Sequence, residues 1–413
     1  MTTSNICIIG GGICGVASAL ALSKFLPQNR TEIAVYELRD KPTTLGGPIH
    51  LTPNALRALD SLGTYKILQK ENMGVEVGSI DIYSIQSGSA MGSIDFAGPD
   101  GQGFDGYKGR RIMRAQLLRG LLEAVKDCKN VKVMYGKKLV GVKESDKAVC
   151  VSFADGTTVS ADLVLGCDGV HSMTRMSFVE PDRVPIYTGI STAQGYVKAE
   201  KITSPLHLKD TTMNSGRKGS LLISYFEPTY ETIYLAAVTE AKEDLSKDGW
   251  NAVGKDQDLI KRNLTDRFGD AAFPCIKEMI SKAENWFLYP VYKLAPHGKW
   301  ATKRVILLGD AAHAMPPQGE SIGYALEDAL LFARALAKHQ EQSLDGAFQA
   351  YETLRRKRIE DAHREASMRW ETVRDSGYIV TKLKEWIVPV WLWWMRSAQI
   401  KAFLFDCEKV EIP

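Results

Sequence analysis

The sequence predicts a two-domain protein of mixed α/β class, with a Rossmann-like domain, a mostly antiparallel β-sheet domain interleaved with it, and a helical C-terminal tail. Three observations predict this fold. The chain opens with a strand, a glycine-rich turn, a helix and a second strand, which together begin a βαβ unit. Strands followed by glycine and aspartate return in the middle of the chain and near Asp310. Between them lie stretches of alternating polar and apolar residues, which are typical of antiparallel strands.

The Rossmann-like domain contains most of the regular patterns. Apolar residues at helical spacing predict helices over 13–25, 52–62, 114–126 and 321–339. Short runs rich in β-branched residues predict strands over 5–9, 32–37, 131–135, 139–144, 148–153, 161–165 and 304–308.

The antiparallel domain is predicted from alternating runs such as 220–225 and 232–238. We assign 1–77, 105–177 and 290–360 to the Rossmann-like domain, 78–104 and 178–289 to the antiparallel domain, and 361–413 to the tail. Because the segments alternate along the chain, one domain is expected to be threaded through the other.

Composition and charge narrow the class of function. The formal net charge is only +3 over 413 residues, and there is no long basic run, so a nucleic-acid partner is not expected. The seven cysteines are scattered without a CxxC pair, which matches neither a metal site nor a disulfide framework. Reduced thiols and a cytoplasmic location are therefore predicted, with no bound metal.

The first glycine-rich turn has the pattern GxGxxG, formed by Gly10, Gly12 and Gly15 between a strand and a helix. Such a turn lets a pyrophosphate approach the backbone and the helix N-terminus. Glu37 follows at the end of the second strand, where a carboxylate can accept hydrogen bonds from ribose hydroxyls. The motif predicts a dinucleotide site without choosing between FAD and NAD.

Two later stretches favour FAD over NAD, because they resemble the motifs of a known family. Gly166-Cys167-Asp168-Gly169, with Arg175 after it, resembles the DG motif of class A FAD-dependent monooxygenases, and Gly309-Asp310-Ala311-Ala312-His313 resembles their GD motif. Para-hydroxybenzoate hydroxylase, salicylate hydroxylase and the fungal FAD monooxygenases of secondary metabolism belong to that family. The resemblance covers residues 1 to about 355, and the three motifs occur in the family's order.

The resemblance implies that this chain binds FAD. Asp310, at a strand end before a helix, is expected to accept a hydrogen bond from a ribityl hydroxyl. The resemblance places Arg114 against FAD and the Gly46-Gly47 turn beside the flavin ring. The residues expected to bind the cofactor are Gly10, Gly12, Gly15, Glu37, Gly47, Arg114, Asp168, Asp310, Gly319 and Gly323.

The resemblance also implies the reaction. NADPH or NADH binds transiently, since only one dinucleotide fingerprint is present, and reduces the flavin. The reduced flavin and O2 then form a C4a-hydroperoxide that hydroxylates a small organic substrate, expected to be an aromatic or secondary-metabolite compound. Epoxidation, Baeyer–Villiger insertion or oxidative rearrangement of a terpenoid, polyketide or indole compound stays open. A flavin-binding protein without turnover is the remaining alternative.

No catalytic side chain is assigned from sequence, and His50 and Tyr225 are the candidates. His50 follows the ring-side turn, and Tyr225 belongs to a presumed strand of the substrate domain, where simple strand packing is the competing interpretation. One position departs from the family: Gly319-Glu320-Ser321 stands where relatives commonly have Gly-x-Gly. The side chain of Ser321 is expected to narrow the space over the ring.

The tail contains four tryptophans between Trp386 and Trp394, with lysines and arginines around them. Two interpretations compete. The helix either rests peripherally on a membrane with its indoles at headgroup level, or it packs on the substrate domain or a second copy and buries them. The sequence favours burial, because apolar patches of this size are uncommon on protein surfaces. The oligomeric state is not predicted.

Overall fold

The computed structural model describes residues 3–44, 46–242, 245, 247–316, 319–339 and 341–413. The strands are β1 Asn5–Ile9, β2 Glu32–Tyr36, β3 Pro48–Leu51, β4 Val75–Val77, β5 Ser79–Ser84, β6 Ala90–Asp95, β7 Gly109–Met113, β8 Val131–Met134, β9 Leu139–Glu144, β10 Val149–Phe153, β11 Thr158–Ala161, β12 Leu163–Gly166, β13 Ile186–Lys198, β14 Thr211–Gly216, β15 Gly219–Tyr225, β16 Thr232–Glu240, β17 Glu284–Lys293 and β18 Val305–Leu307. The helices are α1 Ile13–Phe25, α2 Pro53–Ser61, α3 Thr64–Lys70, α4 Arg114–Val125, α5 Lys247–Lys255, α6 Gln257–Phe268, α7 Pro274–Lys282, α8 Asp310–His313, α9 Ser321–His339, α10 Leu344–Glu371 and α11 Tyr378–Phe403.

The first layer is a five-stranded parallel sheet with the order β18-β12-β1-β2-β8. Its central strands are continuous apolar runs, and Ile8, Leu163 and Ile306 are fully buried, as expected of a sheet covered on both faces. Parallel pairing brings the carboxyl ends of β1, β12 and β18 to the same edge. The first glycine-rich turn and the two glycine–aspartate loops begin at that edge.

The second layer is a seven-stranded, mostly antiparallel sheet with the order β17-β13-β16-β15-β14-β5-β6. Its strands come from the two segments assigned to the antiparallel domain, and β17 continues past the predicted limit at 289 to Lys293. One face buries Leu221, Ile223 and Leu235 against α6 and α7. Side chains alternate along each strand, so the neighbouring residues Ser224 and Tyr234 lie on the opposite face.

A small sheet with the order β3-β7-β4 carries the ring-side segment. Antiparallel pairing places His50 on β3 directly beside Arg111 on β7, with Val75 of β4 on the other side of Arg111. The remaining sheet is the meander β11-β10-β9.

The segment predicted as the tail contains the end of α10, which begins before the predicted limit at 361, and the whole of α11. The prediction that α11 packs on the antiparallel domain is confirmed, since Leu392 is buried and lies so close to β6 that a Cβ on Gly92 would be 2.6 Å from its Cδ1. The prediction that the domain buries the indoles is wrong for three of the four: Trp386, Trp393 and Trp394 are 79%, 76% and 70% exposed. Their helical spacing places them on the stripe opposite Leu392.

Candidate cofactor and substrate site

The three predicted loops converge at the carboxyl edge of the parallel sheet. The Cys167 amide donates to Ile9 O at 2.8 Å, and the Leu308 amide donates to Gly166 O at 3.0 Å. A Cβ built on Gly10 would lie 2.5 Å from the carbonyl oxygen of Cys167, so the first two loops touch. Residues separated by about 300 positions in the sequence therefore border one cleft.

The glycines of the first loop suit a pyrophosphate. At Gly15 a Cβ would lie 1.9 Å from the Gly10 carbonyl oxygen, so only glycine allows α1 to pack this closely on the end of β1. At Gly12 a Cβ would meet no described atom within 4 Å, which leaves open space in front of the helix N-terminus. Gly12 is the N-cap of α1, and no side chain caps this helix. Amide groups without a side-chain partner, facing open space, fit a phosphate group.

Glu37 lies beside this loop at the end of β2. Its Oε2 accepts a hydrogen bond from the Gly11 amide at 2.8 Å, and its Oε1 accepts one from the Arg39 amide at 3.0 Å. The two amides fix the carboxylate while leaving further lone pairs on both oxygens. This arrangement fits the predicted contact with ribose hydroxyls.

Asp310 opens α8 on the far side of the cleft. Its carboxylate is accessible from the cleft, yet protein surrounds it closely enough that burial raises its pKa, while His313 and Arg114 act in the opposite direction. Arg114, at the start of α4, is half-buried and lies beside the Gly46 turn. The structure thus brings Asp310, Arg114 and the ring-side turn to one cleft.

A buried network of charges behind the cleft holds the third loop. Asp328 on α9 accepts hydrogen bonds from the Gly309 amide at 2.9 Å and from Arg355 Nε at 2.7 Å, and its Oδ2 lies 2.6 Å from His313 Nε2. Burial by itself would raise the pKa of Asp328, but His313 and Arg355 hold it below its ordinary value. The sequence places His313 within the GD motif, whereas no motif marks Asp328 or Arg355.

Asp168, predicted to bind the cofactor, is engaged with its own loop. Its Oδ1 accepts from Ser172 Oγ at 2.5 Å, and its Oδ2 accepts from the Thr174 amide at 2.9 Å and from Thr174 Oγ1 at 3.0 Å. Gly319 precedes α9 and has open space around it, whereas Gly323 is buried where α9 packs on α2. Asp168 and Gly323 are thus engaged with the protein itself, whereas Gly319 borders open space.

The ring-side turn faces the seven-stranded sheet. The Gly47 amide donates to Gln194 Oε1 at 2.9 Å, and a Cβ on Gly47 would lie 2.8 Å from the Tyr196 hydroxyl and 2.9 Å from Tyr234 Cε2. Glycine at this position therefore lets the turn lie directly against a wall of tyrosines. An aromatic wall beside the predicted flavin position suits a planar organic ligand.

The two catalytic candidates lie in different places. His50 is buried in the small sheet beside this wall, and neither of its ring nitrogens has a hydrogen-bond partner among the residues that the structure describes. Burial, followed by the charge of Arg111, lowers its pKa well below the usual value. Tyr225 packs in the apolar core on the opposite face of the seven-stranded sheet, against Tyr230. Ser321 begins α9 and is half-buried.

Comparisons with known proteins agree with this geometry. The family described as FAD binding domain matches residues 3–366. The chain is 28% identical over 370 residues to 3-amino-4-hydroxybenzoate 2-monooxygenase of Streptomyces platensis, covering 88% of this chain and 87% of the relative. It is 29% identical over 390 residues to salicylate hydroxylase of Pseudomonas putida, covering 89% of this chain and 85% of the relative. The crystal structure of Klebsiella pneumoniae HpxO with FAD and uric acid has the same fold, with a TM-score of 0.81 over 97% of each chain at 22% identity.

Proposed function

This chain belongs to the class A FAD-dependent monooxygenase family, and we propose that it hydroxylates a small aromatic compound with one oxygen atom of O2, using NADH or NADPH as reductant. The two curated relatives are named for aromatic substrates, which supports this class for the present chain. The observation that carries the proposal is the convergence of the three loops on one cleft whose opposite wall is formed by tyrosines.

We infer that the cofactor lies along this cleft. Its pyrophosphate would face Gly12 and the N-terminus of α1, its ribose Glu37, and its ribityl chain Asp310. FAD, when bound, supplies the electron transfer and the activation of O2. The protein then has to hold the substrate beside the ring and keep water out, and the buried faces of Tyr196 and Tyr234 serve both purposes.

The experiment that tests this function starts from protein reconstituted with FAD. We expect the absorbance bands of an oxidised flavin, oxidation of NADH or NADPH that an aromatic substrate accelerates, and a product heavier by one oxygen atom from labelled O2. Asp310→Ala should retain less FAD than wild type. If the labelled product is an epoxide or a ring-expanded lactone, the reaction is epoxidation or Baeyer–Villiger insertion and not hydroxylation. Protein that binds FAD but never consumes NAD(P)H with any substrate of a broad aromatic panel would refute turnover.

We also propose that α11 rests on an anionic membrane surface, facing the reducing cytoplasm. No helix within the described ranges is long and apolar enough to cross a membrane. The exposed apolar side chains of α11 follow one helical stripe. The stripe consists of Ile379, Leu383, Trp386, Ile387, Val390, Trp393 and Trp394.

The chemistry of this stripe fits lipid headgroups. Indole rings prefer the boundary between headgroups and acyl chains. From Trp386 to Phe405 the sequence contains no Asp or Glu, whereas Arg396 and Lys401 are exposed near the end of the stripe. A helix with an apolar face and cations around it binds anionic lipid surfaces. Charge complementarity therefore favours a membrane over a second, similarly charged copy.

Co-sedimentation with vesicles tests the membrane proposal. The FAD-loaded protein should bind vesicles of phosphatidylcholine with phosphatidylserine more strongly than vesicles of phosphatidylcholine alone. The double variant Trp393→Gln, Trp394→Gln should bind at least about tenfold more weakly, since burial of one aromatic side chain contributes about 1.5–3 kcal/mol. Val140→Gln, which changes an exposed residue of β9, should bind like wild type. The proposal would be overturned if wild type does not bind vesicles and is a dimer, while the double variant is a monomer.

A further inference from the structure

Arg111 is a buried cation with two guanidinium nitrogens that lack a hydrogen-bond partner among the described residues. It lies on β7, is 4% exposed, and neither its Nε nor its Nη2 has a hydrogen-bond partner in the part of the chain that the structure describes. Its neighbour Arg110 points to the other face, where its Nη1 donates to Met73 O at 2.7 Å. Arg110 therefore has a hydrogen-bond acceptor for its Nη1, although its Nε has none among the described residues, whereas Arg111 has none there for either Nε or Nη2.

Among the residues that the structure describes, the groups around Arg111 carry no compensating negative charge. His50 stands directly across the strand pair and is neutral, because its burial lowers its pKa. Tyr234 lies close enough to Arg111 to interact with it electrostatically. Because burial raises the pKa of Tyr234, its phenol stays protonated and uncharged at neutral pH. Burial also lowers the pKa of Arg111 to about 10, which leaves the guanidinium charged.

Further buried polar groups without partners lie on the sheet face beside Arg111. Tyr234 pairs with Ser224, and Ser224 pairs with Thr211, so the three side chains form one row across neighbouring strands. The hydroxyls of Ser224 and Thr211 have no hydrogen-bond partner in the described residues. Tyr196 continues the row at its other end, and its ring packs edge-on against Phe226. Within the described residues, the region thus combines aromatic rings, hydroxyls without hydrogen-bond partners and the Arg111 guanidinium.

An unpaired charge in a protein interior is costly, since removal of one partner of a buried ion pair typically destabilises by several kcal/mol. Buried polar groups are otherwise nearly always satisfied, so a cluster of exceptions indicates a ligand that completes them. We propose that Arg111 is the receptor for an anionic group of the substrate, and that this enzyme selects planar aromatic acids over their neutral analogues. The proposal rests on the proposed function, because it names the substrate class of the same site.

The geometry suits a carboxylate or another planar oxyanion. A guanidinium presents donors in a planar fork, and its Nε and Nη2 can bind both oxygens of a carboxylate. The neutral His50 and the hydroxyl row can bind a second polar substituent, while the tyrosine rings cover the faces of the substrate ring. Arg111 therefore acts as a residue for binding and specificity, whereas oxygen transfer remains with the cofactor.

Ligand titration of the FAD-loaded protein tests the proposal. The probes are benzoate and 4-hydroxybenzoate, each with its matched carboxamide, and the readouts are the perturbed flavin absorbance and the shift in melting temperature. Wild type should bind each acid at least about tenfold more tightly than its amide, and Arg111→Met should weaken acid binding about 100-fold while leaving amide binding nearly unchanged. Arg111→Lys should bind the acids with an affinity between those of wild type and Arg111→Met, because lysine keeps the positive charge but lacks the planar fork of donors.

A control separates loss of the receptor from loss of net charge or of fold. Arg119→Met removes a charge from an exposed position on α4 and should leave the preference for acids intact. Without ligand, Arg111→Met should melt at or above the temperature of wild type, which a purely structural role would not allow. The proposal is overturned if acids and amides bind wild type alike, if neither acid perturbs it up to the solubility limit, or if Arg111→Met keeps the preference. Selective acid binding without NAD(P)H oxidation would instead refute the proposed reaction and leave the receptor standing.

Discussion

Arg355→Met is expected to lower the free energy of unfolding by about 3–5 kcal/mol, because it removes the cation that the buried carboxylates of Glu327 and Asp328 share. Arg355 is fully buried, with Nη1 2.7 Å from Glu327 Oε2 and Nε 2.7 Å from Asp328 Oδ1. Asp328 also holds the Gly309 amide, so the loop that presents Asp310 should loosen and FAD retention should fall. Chemical denaturation and the flavin content of the purified protein measure both effects.

The matched control is Arg364→Met, which removes an exposed arginine from the same helix, where it pairs only with Asp361 in the described residues. Exposed pairs of this kind contribute at most about 1 kcal/mol. If the two variants lose similar stability, the buried network does not have the role described above.

The same variant should show a distinctive pH dependence. Burial would raise the pKa values of Glu327 and Asp328, but the neighbouring cations hold both below their ordinary values. A carboxylate with a lowered pKa stabilises the fold above its unfolded pKa of about 4, and that contribution is lost as the pH falls below it. The stability difference between wild type and Arg355→Met should therefore be largest near neutral pH and shrink as the pH falls below about 4.

Alanine at two glycines of the first loop should affect the stability of the apoprotein differently. Gly15→Ala would place a Cβ 1.9 Å from the Gly10 carbonyl oxygen, so α1 must move away from β1 at a cost of roughly 2–3 kcal/mol or more. Gly12→Ala meets no protein atom within 4 Å and has a φ of −77°, which alanine adopts readily. Gly12→Ala should therefore fold normally and bind FAD at least about tenfold more weakly, because its methyl group occupies the space proposed for the pyrophosphate.

Melting temperatures of the two apoproteins and FAD titration of each provide the measurement. Normal FAD affinity in Gly12→Ala would remove the pyrophosphate from the position proposed for it. A Gly15→Ala apoprotein as stable as wild type would show that the close packing of α1 on β1 is not required.

Local patterns predicted the elements well where one pattern filled an entire element. The helix over 13–25 and the strands over 5–9 and 139–144 match the structure. The strand predicted over 161–165 instead divides into the end of β11 and the start of β12. The chain changes sheets there, and an unbroken apolar run does not reveal such a change.

The sequence by itself determined the class of fold, the βαβ opening and the three loops of the cofactor cleft. Each of these depends on residue types at fixed short spacing, such as glycines in a turn or an aspartate at a strand end. Tertiary structure alone decided that Asp168 is engaged by its own loop and that Arg355 joins Glu327 and Asp328. Within the described residues, it decided that Nε and Nη2 of Arg111 lie without a hydrogen-bond partner beside a row of hydroxyls. It also decided that three indoles of α11 face outwards. These features depend on contacts between segments far apart in the chain, and local periodicity carries no information about which distant side chains meet.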